Sequence, residues 1–164
     1  MNQESPSGAQ PEDTQPVFLI EKIYVHDLSV ELPNAPGIFL EQGEPKIDIQ
    51  LNNTGSLLQG SLFNSILTVT VNAKLGEKTV FHVEAKQAGI FRMHNIPAEE
   101  IEPLLAIACP SVLFPYAREL VSDATTRAGF PPVYIQPVNF EAIYRAQLQE
   151  RQAQMAGQNA EGNG

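Results

Sequence analysis

The chain has a single cysteine, no tryptophan, three histidines, and only ten basic side chains against nineteen acidic ones. Each shortage excludes something. Cys109 alone cannot close an internal disulfide, and it leaves no thiol set for a structural zinc site. The net charge of −9 repels nucleic acids and anionic membranes, whose affinity comes mostly from cationic contacts. Such a charge would attract a basic partner, or serve only to keep the protein soluble. No stretch approaches the roughly 18–20 uninterrupted apolar residues of a membrane-spanning helix. The start, Met1-Asn2-Gln3-Glu4-Ser5-Pro6, lacks the basic-then-apolar pattern of a secretory signal, so the expected location is the cytoplasm.

What is present suits one domain: 164 residues, 43% of them hydrophobic. Residues 1–16 hold three prolines and, after Met1, no aliphatic side chain larger than alanine, so a disordered segment is expected there. The tail, 151–164, reads as flexible in the same way. The folded part is expected to span 17–150.

Its first half carries four strand patterns. Phe18 to Leu32 is rich in β-branched and aromatic residues. Ile47, Ile49 and Leu51 alternate with Asp48 and Gln50. Leu67, Val69, Val71, Ala73 and Leu75 alternate with Thr68, Thr70, Asn72 and Lys74. After a tight Gly76-Glu77 turn, Phe81, Val83, Ala85 and Phe91 mark a fourth strand. Period-two patterns of this kind predict an antiparallel sheet with one covered and one wet face. In the first strand Leu19, Ile23 and Val25 hold odd positions, whereas Leu28, Val30 and Leu32 hold even ones. A β-bulge near His26-Asp27 reconciles them and sends Asp27, Ser29 and Glu31 to the wet face, with His82, Glu84 and Lys86 of the fourth strand.

Pro33 to Phe39 forms a long connection stiffened by two prolines, which places Ile38 and Phe39 outside the sheet. The second half is helical. A short piece from Ala98 to Ala108 is expected to break at Pro103 and Pro110. Ser111 reads as the N-cap of a longer helix, with Pro115 in its first turn and Gly129 as its stop. Leu113, Ala117, Leu120, Val121, Ala124 and Ala128 form its apolar stripe. That stripe is too apolar for a solvated helix, and its alanines permit close approach, so a subunit interface is expected. Asn139 caps a last helix carrying Phe140, Tyr144 and Leu148. The fold class is α+β: a four-stranded antiparallel sheet with helices packed on one face.

Patterns for catalysis and cofactors are weak. There is no glycine-rich phosphate loop, no His-x-x-x-His and no Cys-x-x-Cys, and no cofactor is expected. His26, His82 and His94 lack metal-ligand spacing. Cys109 could act as a nucleophile with His94 or His26 as base, making a small enzyme. Its neighbours Leu105, Ile107, Ala108 and Pro110 favour a buried structural thiol. Asp27 and Glu31 lie four residues apart on one strand face, about 13 Å, too far for paired-carboxylate hydrolysis but suited to an acidic binding strip.

Several separate motifs then occur in order. They are Ile23-Tyr24-Val25-His26-Asp27-Leu28-Ser29-Val30-Glu31 with Pro33-Asn34-Ala35-Pro36; Gly89-Ile90-Phe91; Cys109-Pro110 with Leu113-Phe114-Pro115-Tyr116-Ala117-Arg118-Glu119; and Phe130-Pro131-Pro132 leading to Pro137-Val138-Asn139-Phe140. Together they cover about Phe18 to Leu148. This set resembles the SecB family of bacterial protein-export chaperones. The resemblance implies a homotetramer built as a dimer of dimers. It also implies an ATP-independent holdase that keeps precursors of exported proteins unfolded and delivers them to the SecA motor. Contacts to SecA would fall on Asp27, Glu31 and Glu84, and Val83, Ala85 and Gln87 would face the tetramer interior. Two features depart from the family pattern: His82 stands where an apolar residue is common, and the tryptophan expected near Gly43 is missing.

A holdase must bind many sequences in an extended state, which apolar clefts and free strand edges allow. Repeating weak contacts over four subunits raises avidity by roughly 10²–10⁴. The candidate client groove combines Ile47, Ile49 and Leu51 of the second strand, Phe140, Tyr144 and Leu148 of the last helix, and Ile38 and Phe39 of the connection.

Overall fold

A computed structural model describes residues 13–162. Residues 1–12, on which most of the expected N-terminal disordered segment falls, lie outside the described residues. Of the remainder of that segment, the backbone carbonyls of Asp13 and Gln15 accept hydrogen bonds from the Asn95 side chain at 2.7 and 3.1 Å.

Four strands, β1 (Val17–Glu31), β2 (Lys46–Gln59), β3 (Leu62–Leu75) and β4 (Lys78–His94), form one antiparallel sheet in the order β1-β4-β3-β2. Two-residue turns join β2 to β3 and β3 to β4. Gly60 and Gly76 hold φ of +58° and +60° there, the left-handed conformation such hairpins need. β2 runs seven residues beyond the alternating stretch that announced it. Asn53 to Gln59 pair with Leu67 to Leu62 although their largely polar, glycine-containing sequence has low strand preference. Pairing with β3 holds them.

The expected bulge in β1 is present: the register skips between Val25 and Asp27. A second irregularity falls between Ile20 and Lys22. It puts Leu19 opposite Arg92 on the open face, not with Ile23 and Val25 on the helix face as the odd-numbered pattern had it.

On the covered face Leu67, Val69, Val71 and Ala73 of β3 meet Val83 and Ala85 of β4, all fully buried. Across them lies α2 (Cys109–Arg127). Leu113, Ala117, Val121 and Ala124 are buried within this single chain. These four side chains of the stripe therefore pack against the chain's own sheet, where a subunit interface was expected. The same correction applies to Val83, Ala85 and Gln87. The alanines bring a helix close to its own sheet, and the Gln87 amide is satisfied by the Tyr24 carbonyl at 3.0 Å. Leu120 and Ala128 are half-buried.

No break occurs at Pro110. α1 (Ala98–Pro103) continues through a π-helical turn, Leu104–Ala108, into α2. The Cys109 N–H reaches back five residues to the Leu104 carbonyl. This wider turn absorbs the N–H that Pro110 lacks, so the helix continues where a straight α-helix would lose a bond. Ser111 is not a cap: its hydroxyl donates to the Ile107 carbonyl one turn back, and Pro115 lies well inside the helix. The joined helix, Ala98–Arg127, is the one among the described residues long and apolar enough by composition to cross a membrane. Its apolar stripe is already engaged by the sheet.

From Gly129 to Asn139 the chain has no regular secondary structure. Val133 and Ile135 are buried, and the Val133 N–H donates to Thr125 Oγ1 at 3.0 Å. Asn139 caps α3 (Phe140–Glu161) as expected, its side chain accepting from the Ala142 N–H at 3.0 Å. Residues 151–161, expected as a flexible tail, continue α3 as helix with exposed side chains, and Arg151 bridges to Glu102 at 2.7 Å.

Candidate functional site

Two surfaces stand out, one on each face of the sheet. On the open face the register sets Asp27 opposite Lys86, Ser29 opposite Glu84 and Glu31 opposite His82. The bulge at His26 is what brings Asp27 and Glu31 to this face beside Glu84. Strand pairing thus gathers all three carboxylates that form the acidic strip. It also inserts a cation: Lys86 lies 3.6 Å from Glu84. Three carboxylates less one ammonium leave a net of two negative charges on the strip. His82 Nδ1 is hydrogen-bonded to Asn72 Oδ1 on β3, which fixes the ring against the sheet.

On the covered face the helices leave the β2 edge free. A trough of about 540 Å³ lies between Ile47 and Ile49 of β2 and the segment Phe130-Pro131-Pro132-Val133-Tyr134. It shares Pro45, Phe130 and Pro131 with a hollow of about 380 Å³ lined by Ile38, Phe39, Leu75 and Val80. Phe39 stacks on Phe130 with centroids 5.2 Å apart, and Phe130 packs on Phe81 at 5.1 Å. Tyr134 is 66% exposed and Phe39 48%. Pro131 and Pro132 offer no N–H groups to pair with β2, and the Phe130 and Val133 N–H groups are turned to Thr125. β2 is hydrogen-bonded along one side only.

The expected groove is therefore divided. Ile47 and Ile49 line the trough, and Phe39 lines the adjoining hollow. Ile38 and Phe140 are core side chains, 4% and 7% exposed, and Phe140 meets Phe114 edge to face. They are buried because the connection and the start of α3 fold inward instead of lying over the strand. Leu51 and Tyr144 meet in a separate, smaller hollow of about 140 Å³ against Ala106. Leu148 is half-buried and lines none of these cavities.

The wall itself, Phe130 to Tyr134, was not singled out from sequence. Its signal was there: a Phe-Pro-Pro run after a helix stop cannot continue the helix or join a sheet centrally. Cys109 is fully buried, and burial pushes its thiol up from 9.0 to about 12, so almost none of it is the thiolate a nucleophile needs. Among the described residues no group of three His, Cys, Asp or Glu side chains is arranged to hold a metal ion.

The model of the family described as preprotein translocase subunit SecB matches residues 11–151. The chain belongs to the SecB family. It is 60% identical over 140 residues to the protein-export protein SecB of Dechloromonas aromatica, covering 85% of this chain and 92% of that protein. It is 54% identical to that of Chromobacterium violaceum, covering 93% and 99%. The Neisseria meningitidis serogroup C protein is also 54% identical, over 89% and 98%. A solved SecB-like chaperone of Mycobacterium tuberculosis, in complex with a ChAD peptide from an antitoxin, has the same fold at 19% identity. Its TM-score is 0.61, over 74% of this chain and 91% of that one. As a SecB-family member the chain is a protein-export chaperone.

Proposed function

We propose that this chain is an ATP-independent holdase that binds extended, non-native precursors of exported proteins in the trough along β2 and hands them to SecA through the open-face strip. The observation that carries the reading is the trough. It joins exposed aromatic and proline side chains to a strand edge with free backbone groups. Apolar side chains give affinity without reading sequence, and the edge can add main-chain hydrogen bonds to any extended client. A folded protein presents neither partner.

Self-association would multiply the trough. Most of the stripe on α2 is occupied, and an apolar surface open to another subunit is the helix-side face of β1. Ile20, Val25, Leu28 and Val30 are 39–51% exposed there because α2 covers only β3 and β4. An edge strand with such a face favours pairing with a second copy. We place the dimer contact of the expected dimer of dimers on this face. The protein acts in the cytoplasm without a cofactor and catalyses no reaction, Cys109 being structural.

Size-exclusion chromatography with light scattering, run with and without a reduced, unfolded client, tests this directly. A tetramer that shifts to a larger complex with the client, without nucleotide, is expected. A monomer that leaves the client unbound would overturn it.

A further inference from the structure

Ten basic side chains serve this acidic chain, and six of them are in ion pairs: Lys78, Lys86, Arg92, Arg127, Arg145 and Arg151. Arg118 lies over the Phe114 ring. Of the remaining three, Lys46 and Lys74 are direct cross-strand partners on β2 and β3. Like charges set opposite one another in a sheet are destabilising. Among the described residues neither has an ion-pair partner. The lysines stand over an open concavity of about 670 Å³ with Asp48, Asn72 and Gly76. Asp48 is the carboxylate of that corner, and it accepts from the Gln50 side chain without an ion pair to either lysine.

The corner is on the same open face as the acidic strip. One row of the register, Glu31–His82–Asn72–Asp48, crosses all four strands. At ~4.8 Å per strand it spans roughly 14 Å. The lysines lie two register pairs further along β2 and β3, the next pair on the same face. That separation exceeds the Debye length of about 8 Å at physiological salt, so the β1 carboxylates do not compensate the lysine pair, and Asp48 offsets only one of its two charges. Hydrogen-bonded His82 and Asn72 form a polar path between the two charged ends.

We propose that the open face is a bipolar platform. A partner segment crosses the strands with basic residues on Asp27, Glu31 and Glu84 and, four or five extended residues away, carboxylates between Lys46 and Lys74. This deepens and rests on the reading of the strip as the motor contact. The pairing fixes the direction in which the segment lies, which an acidic strip alone does not.

The test measures purified SecA binding to the full chain in parallel for wild type, Lys46→Glu/Lys74→Glu and Asp27→Lys/Glu31→Lys at low and high salt. The lysine variant is expected to bind roughly 5–10-fold more weakly at low salt, with the difference shrinking below about 2-fold at high salt. Lys46→Gln/Lys74→Gln should fall between, and suppression of client aggregation should be unchanged, since the pair faces away from the trough. Unchanged binding by both lysine variants, with binding lost in the strip variant, overturns the platform and leaves the strip reading standing. Unchanged binding by the strip variant overturns the strip reading and the platform with it.

Discussion

The Phe39 and Phe130 rings stack 5.2 Å apart with 21° between their planes, tying the 3-10 turn after β1 to the chain after α2. That contact closes one end of the trough. Phe39→Ala should weaken binding of a reduced, unfolded client by about 1–2 kcal/mol per site while the fold persists. Calorimetry against circular dichroism would check both halves, and normal client binding would remove Phe39 from the site.

Tyr134 and Tyr144 rank differently in the structure than in the sequence. Tyr134→Ala in the trough is expected to cost more client affinity than Tyr144→Ala, which opens only the smaller hollow beside Leu51. Competition between the two variants for one labelled client gives the order, and the reverse order would move the groove back to α3.

The strip predicts a separation of functions. Asp27→Lys with Glu31→Lys reverses exposed charges far from the core and should abolish SecA binding at low salt while client holding persists. Loss of both activities together would point to misfolding instead of a lost contact.

Burial separates two classes of apolar substitution. Leu113→Ala opens a cavity in the chain's own core and should cost about 2–5 kcal/mol in denaturant unfolding. Ile20→Asp with Val25→Asp charges the exposed face of β1 and should lower the oligomeric mass in light scattering with little loss of secondary structure.

Cys109 predicts an alkaline limit. The thiol is held protonated in the folded chain, with its pKa raised from 9.0 to about 12, so its contribution is complete below pH 9 and lost as pH rises from about 9 toward 12. Urea unfolding should weaken over that window by up to about 4 kcal/mol. Cys109→Ala should flatten the slope, and native protein at pH 8 should resist alkylation.

The strands, the bulge at His26, the Asn139 cap and the acidic strip were legible because each depends on local alternation or on one capping residue. Period two, once shifted by the bulge at His26, decides which face Asp27, Glu31 and Glu84 share. The sequence by itself also determined the family, through motifs spread over most of the chain. What it left undecided was what lies against each apolar stripe. Leu113 and Val121 read as interface until the position of α2 over β3 and β4 made them core, with β1 left as an open apolar face. Ile38 and Phe140 turned inward for the same reason. The trough wall at Phe130 to Tyr134 and the facing of Lys46 on Lys74 depend on segments brought together across 28 residues or more. No local period encodes such distances, because register and packing, not propensity, set them.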